Sequence, residues 1–189
     1  ADPLRPAAKP TMTPDAARQE LTIVANFVEV FLAKEGHDGL VGINYLEKIQ
    51  LPTLPSLYGA MLAGVDVILM GAGIPKEIPG ALDRLAEHGE AALRLNVPDS
   101  EEHLRFDPRS VIGEILPRLP RPVFLPIVAS ATLAQSMVRR ATGRIDGFVV
   151  EGPTAGGHNA PPRGSKTLTE NGEPVYGPRD VLDVDAMRA

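Results

Sequence analysis

The sequence predicts an α/β fold organised around a parallel sheet. Four short runs, at 39–45, 65–70, 123–129 and 146–150, are apolar with little or no polar alternation. The first three are each followed by a helical stretch, and glycines stand at most of the junctions. Strands apolar on both faces call for cover on both, and strand-then-helix alternation joins neighbours by crossovers, so the pairing is parallel.

Residues 1–13 read as an extended lead-in, with prolines at Pro3, Pro6 and Pro10 and few apolar anchors. Thr13-Pro14 has the form of a helix cap followed by proline at the first helical position. From there Leu21, Val24, Phe27, Val28, Phe31 and Leu32 make a helical stripe that ends near Gly36. Gly39–Tyr45 is the first strand, 54–63 a helix ended by Gly64, Val65–Met70 a strand and Pro79–His88 a helix. Val123–Ala129, a helix over 131–142 and Asp146–Val150 complete the alternation. Two segments depart from it. Residues 90–121 are long for a connection, and Leu93, Leu95, Val97, Leu104 and Phe106 suggest a two-stranded excursion about a polar turn at 98–103. Asn171-Gly172 between Leu168 and Val175 reads as a hairpin turn, and a final helix is expected from Pro178.

At 189 residues the chain has room for one well-cored domain, taken here as 14–189. A net charge of −5 gives no electrostatic reason to expect nucleic acid or an anionic membrane as partner. The absence of cysteine excludes disulfides, thiolate catalysis and cysteine-ligated metal. No apolar run is long enough to span a bilayer and no signal-peptide pattern opens the chain, so a cytoplasmic location is the expectation.

The segment with most chemical content is Glu151-Gly152-Pro153-Thr154-Ala155-Gly156-Gly157-His158-Asn159, directly behind Gly147-Phe148-Val149-Val150. Adjacent glycines let backbone approach a ligand, and a histidine exchanges protons near neutral pH. The end of a buried strand is where α/β enzymes gather such groups. Three further segments fall in line with it: Gly42-Ile43-Asn44, Gly71-Ala72-Gly73-Ile74-Pro75, and Val128-Ala129-Ser130 leading into Ala131-Thr132-Leu133-Ala134. Together and in this order they resemble the FMN-dependent nitronate monooxygenase family, formerly the 2-nitropropane dioxygenases, which is related to flavin-type enoyl-ACP reductases.

The resemblance spans 39–158 and implies a TIM (β/α)8 barrel, of which these would be the second to fifth strands. Such a barrel needs about 250 residues, so the chain reads as an internal fragment truncated at both ends, inactive by itself. The first strand and the phosphate-holding turns of the last strands would lie outside it. A half-barrel that forms a homo-oligomer is the alternative. The implied cofactor is FMN, and the implied substrates are a nitronate or nitroalkane with O2. Reduction of an enoyl thioester by the same flavin is the alternative within the class; a non-catalytic fragment unable to hold flavin is the alternative outside it.

By the same resemblance His158 is the catalytic base or acid, and Asn44, Gly71, Ser130, Glu151, Gly156 and Gly157 contact the cofactor. Several have plainer readings. Asn44 could cap the turn after its strand, Gly71 could serve turn chemistry alone, Ser130 could cap the helix from Ala131, and Glu151 could be a structural acceptor in its loop. His37, His88 and His103 sit at expected helix ends or polar turns and read as solvated; Arg163 reads as a solvated loop arginine. Neither the P-loop nor the Rossmann glycine pattern is present.

Overall fold

The computed structural model describes residues 11–12, 15–99, 101–113, 117–152, 155, 161–164, 167–181 and 183–185. Four parallel strands form one sheet: β1 (Gly42–Leu46), β2 (Val67–Gly71), β5 (Val123–Val128) and β6 (Val149–Val150), in the order β1-β2-β5-β6. The order in space is the order in the chain. The helices are α1 (Ala16–Ala33), α2 (Thr53–Leu62), α3 (Ile78–Ala86) and α4 (Ala131–Arg140). Between α3 and β5 the chain makes an antiparallel hairpin of β3 (Ala91–Arg94) and β4 (His103–Phe106), as the alternation at 90–121 suggested.

Cover falls unequally on the two faces of the sheet. Ile43, Tyr45, Ile68, Met70 and Phe124 share one core with residues of α1, α2, α3 and the hairpin. Along β1 the alternate residues Gly42, Asn44 and Leu46 are exposed, and Val67 and Leu69 beside them are only half-buried. Register explains the rows on this thinner face: Gly42 pairs with Val67, Asn44 with Leu69, and Leu46 with Gly71. The expectation of cover on both faces is therefore corrected. The apolar residues of the second face are in place, but among the described residues no helix lies over β1 there.

Helix α1 starts two residues later than Thr13-Pro14 implied. Asp15 is its N-cap and accepts from the backbone N–H of Arg18 at 3.4 Å; Thr13 and Pro14 lie outside the described residues. At its other end Gly36 adopts φ +77°, and the His37 ring closes the exit, its Nε2 donating to the Ala33 carbonyl at 2.7 Å while Nδ1 accepts from Gly39 N–H at 2.9 Å. Ile23 and Val30 are buried, whereas the stripe residues Leu21, Val24, Val28, Phe31 and Leu32 are exposed. The stripe was correctly helical, but the buried edge lies to one side of it, where α1 meets α2. That crossing is close: a Cβ on Gly59 would run into the backbone carbonyl of Ile23. The half-buried Tyr45 hydroxyl, held well above its ordinary pKa by desolvation, donates to Asn26 Oδ1 at 2.8 Å.

The amino ends of the strands are pinned by two carboxylates. Asp66, just before β2, accepts from Lys34 Nζ at 2.6 Å and from the Val41 N–H at 2.8 Å. Asp146, just before β6, accepts from Arg121 Nη1 and from the Phe124 N–H, both at 2.9 Å, and from Arg144 Nε at 2.7 Å. Arg121 also pairs with Asp83 and donates to the Arg144 carbonyl, so its side chain is only 10% exposed. Each carboxylate thus ties its own strand to the start of the preceding neighbour in the sheet.

Beyond β6, Leu168 and Pro174 bridge across a turn in which Gly172 has φ +79°, matching the hairpin expected at Asn171-Gly172. At Pro178 the described residues form a single 3-10 turn, Pro178–Asp180, in place of the start of the expected helix; residues 182 and 186–189 lie outside the described residues.

Candidate functional site

The carboxyl ends of the strands bring together part of the set named from sequence. Gly71 is the last residue of β2 and is buried. Its lack of a side chain has a local reason, since a Cβ there would press on Ile127 Cδ1 at 3.1 Å. Ser130 follows β5 and is the N-cap of α4, its Oγ accepting from Leu133 N–H at 3.2 Å. The plainer reading of Ser130 is thus realised, with its hydroxyl engaged by the helix. Glu151 follows β6, and its N–H donates to the Val128 carbonyl at 2.9 Å, extending the ladder one residue past the strand. Gly156, Gly157 and His158 lie outside the described residues.

Asn44 is not at a strand tip. It occupies the middle of β1, opposite Leu69, exposed on the thinner face. The strand runs on through Tyr45 and Leu46 because both continue the pairing with β2, to Met70 and Gly71. The tip position is held by Glu47, whose N–H donates to the Gly71 carbonyl at 2.8 Å.

Arg163 is exposed, as expected for a loop arginine, yet it is anchored. Its Nη2 donates to the Ala129 carbonyl at 3.0 Å, at the tip of β5, and its N–H donates to Asp180 Oδ1 at 2.8 Å. The Gly177 N–H donates to the other oxygen of Asp180 at 2.7 Å, and these two bonds, Gly177 first, hold that carboxyl below its ordinary pKa. The segments at 161–164 and 177–180 are in this way fastened beside the strand ends.

His88 corrects the expectation of a solvated side chain. Its Nε2 donates to the Pro117 carbonyl at 2.9 Å, which leaves Nδ1 to accept from the Tyr58 hydroxyl at 2.7 Å. Tyr58 is buried in the core, and desolvation raises its pKa. The histidine is a structural link between α2 and the return to β5. His37 and His103 are exposed.

A cavity of about 190 Å³ lies at the same end of the sheet and was not foreseen. It lies between the turn after β1, the turn after β2 and the hairpin, with Glu47, Gln50, Lys76, Glu77, Arg94 and Asn96 in its lining, and is partly open to solvent. Hydrogen bonds join the three segments. Asn96 Nδ2 donates to Glu47 Oε1 at 2.9 Å, Asn96 N–H to Gln50 Oε1 at 2.8 Å, Gln50 Nε2 to the Arg94 carbonyl at 3.0 Å, and Arg94 N–H to Glu77 Oε2 at 2.8 Å. Burial pushes the Glu47 carboxyl above its ordinary pKa; the Asn96 bond opposes this and the charge of Glu77 adds to it. Gly73 makes room for that carboxylate, because a Cβ there would collide with it. Ala72, between the two glycines, is held at φ +53°. One signal was available in the sequence: Glu47 stands directly after a strand, as Glu151 does.

Among the described residues no group of three or more His, Cys, Asp or Glu is placed to hold a metal, and no helix is long and apolar enough to cross a membrane. No family model, curated protein or solved structure matches the chain.

Proposed function

We propose that these strands are the second to fifth of a (β/α)8 barrel and that the protein is an FMN-dependent oxidoreductase of the nitronate monooxygenase type. One arrangement carries the reading furthest. Gly71, Ser130 and Glu151 come from three separate motifs and stand at the same end of three neighbouring parallel strands. Strand order that follows chain order also favours barrel-like winding, since a doubly wound sheet reverses its order and carries helices on both faces.

The residues suit the ring of a flavin. The thinner face offers the exposed Asn44 amide, both donor and acceptor, beside apolar Leu46 and a β2 tip that carries no side chain at Gly71. FMN, when bound, supplies the redox chemistry by which a nitronate is oxidised with O2. The chain's own part is to orient and to move a proton. Asn44 and the backbone at Gly71, Glu151, Gly156 and Gly157 would hold the ring and exclude water. Ser130 acts through its cap, fixing the turn between β5 and α4. His158 takes the proton from the carbon beside the nitro group, a step suited to a neutral imidazole near pH 7.

His158→Asn in the flavin-loaded longer chain that this reading implies is the test. Flavin content should be retained, turnover of a neutral nitroalkane should fall by about 10²–10⁴-fold, and the preformed nitronate should lose much less. Equal loss on both substrates would remove His158 from proton abstraction, and a protein that takes up no FMN would remove the flavin reading altogether.

A further inference from the structure

The chain leaves the sheet after β6 at Glu151 and is back beside it at Arg163, and both points are tied to the tip of β5. At the outgoing end the Glu151 N–H donates to the Val128 carbonyl at 2.9 Å. At the returning end Arg163 Nη2 donates to the next carbonyl along, that of Ala129, at 3.0 Å. The returning end is set more firmly than an exposed loop requires. Pro162 is buried, the Arg163 N–H donates to Asp180 Oδ1 at 2.8 Å, and Gly164 turns the chain away at φ +104°. Asp180 is itself held: its Oδ2 accepts from the Gly177 N–H at 2.7 Å, and its own N–H donates to the Gly177 carbonyl at 2.9 Å. In sequence, Gly156, Gly157 and His158 fall between the two anchors.

We propose, on the reading of His158 as the proton-abstracting group, that Arg163 is its positioning residue: the bond to Ala129, braced from behind by Asp180, fixes the second end of the segment that bears His158 and so sets where the imidazole is presented to the strand tips. Catalytic groups on loops depend on a rigid scaffold for their placement, and a segment tied at both ends to one strand has far fewer conformations than one tied at a single end. The geometry also gives a reason for arginine at this position. Its long side chain reaches a carbonyl 34 residues away in sequence, and its planar fork fixes the direction of the bond. With Nη2 engaged at Ala129, the guanidinium joins two segments of the chain. A contact with an anionic substrate is the other role open to an exposed arginine, and it would act on substrate binding in place of the proton transfer.

The test compares Arg163→Gln, too short to reach Ala129, with Arg163→Lys, whose ammonium can still donate there, and with Asp180→Ala, which removes the brace and leaves the guanidinium. In the 189-residue chain the His158 ring signals in proton–nitrogen NMR spectra should shift in Arg163→Gln and in Asp180→Ala. Those of His37, His88 and His103 should stay in place, as should the thermal midpoint, and Arg163→Lys should restore most of the unaltered His158 signal. In the flavin-loaded longer chain, kcat on a neutral nitroalkane should fall by about 10- to 100-fold in Arg163→Gln while KM and flavin content hold, the loss expected when a proton-transfer group is displaced by about 1 Å. Unmoved His158 signals in both Arg163→Gln and Asp180→Ala, equal shifts at all four histidines, or a raised KM with kcat unchanged would each overturn the proposal. A longer chain that takes up no FMN would fail the flavin reading instead, and the His158 signals would still decide whether Arg163 places that ring.

Discussion

The two ends of the parallel sheet are built on opposite electrostatic plans. At the amino end, Asp66 and Asp146 are each satisfied by a cationic side chain and by the N–H of a neighbouring strand. At the carboxyl end, Glu47 is desolvated next to Glu77, and the adjoining turn holds Ala72 in the left-handed region. The first end spends its charges on register and stability. The second keeps a carboxyl, a cavity and a strained turn, which are costs to stability retained where ligands bind in sheets of this kind.

Arg121→Ala should give the largest loss of stability in this contrast. It removes the Arg121 bond from Asp146, which keeps Arg144 and the Phe124 N–H, so a loss of about 1.5–3 kcal/mol is expected. Urea unfolding should show it as a lower midpoint with an unchanged slope. A loss under about 1 kcal/mol would mean that the amino-end clasp is no stronger than a surface pair.

Acid should act on the two ends in opposite directions. The Lys34 ammonium, and after it the Val41 N–H, hold Asp66 below its ordinary pKa, so its stabilisation is complete above that value and is lost as pH falls through the lower folded value. Glu47 is raised, so its folded form binds the proton more readily. Its contribution is complete below the ordinary carboxyl value and is lost as pH rises through the raised one. Asp66→Asn should therefore destabilise by about 1–2 kcal/mol at pH 7 and by progressively less below about pH 4. Glu47→Gln should stabilise slightly at pH 7 and be neutral in acid. Thermal midpoints for both variants across pH 3–8 check the signs; parallel curves for the two would erase the contrast.

The smallest effect is expected at Ala72→Gly. Replacing a Cβ held at φ +53° relieves a conformation that costs L-residues about 1–2 kcal/mol, offset in part by the extra freedom glycine has when unfolded. A net gain of up to about 1 kcal/mol in denaturant unfolding is expected, and a loss would show that the turn is shaped by contacts of the Ala72 side chain.

What the sequence made legible was local. Buried strands declare themselves as apolar runs, the Asn171-Gly172 turn by its glycine, and the hairpin by alternating Leu93 and Leu95. Features set by non-local packing were hidden. Nothing in the run from Gly42 to Leu46 says that Asn44 is mid-strand, because the end of β1 is fixed by its pairing with Gly71. The stripe of α1 was read as helical but not as exposed, since the buried edge depends on where Gly59 lets α2 approach. His88 looks solvated until Pro117 and Tyr58 are brought to it from 29 and 30 residues away. The cavity unites Glu47, Glu77 and Asn96, which share no motif and meet only when the hairpin folds over two turns. The motif residues Gly71, Ser130 and Glu151 were legible because a strand end and its following turn are contiguous in the chain.

Strand order has a consequence for how the chain is assembled. Each new parallel strand is laid beside the one before it, and none is inserted between two earlier strands. During synthesis from the amino terminus, β1 and β2 can pair before β5 exists, and that edge then templates β5 and β6 in turn. Growth of this kind keeps each closing loop to one strand-to-strand interval, which lowers contact order and favours rapid acquisition of structure. It also means that an exposed, extending edge is present at every stage of the nascent chain, so Asp66 and Asp146, each fastening an incoming strand to its predecessor, are also where the register of two of the three additions, β2 and β6, is checked.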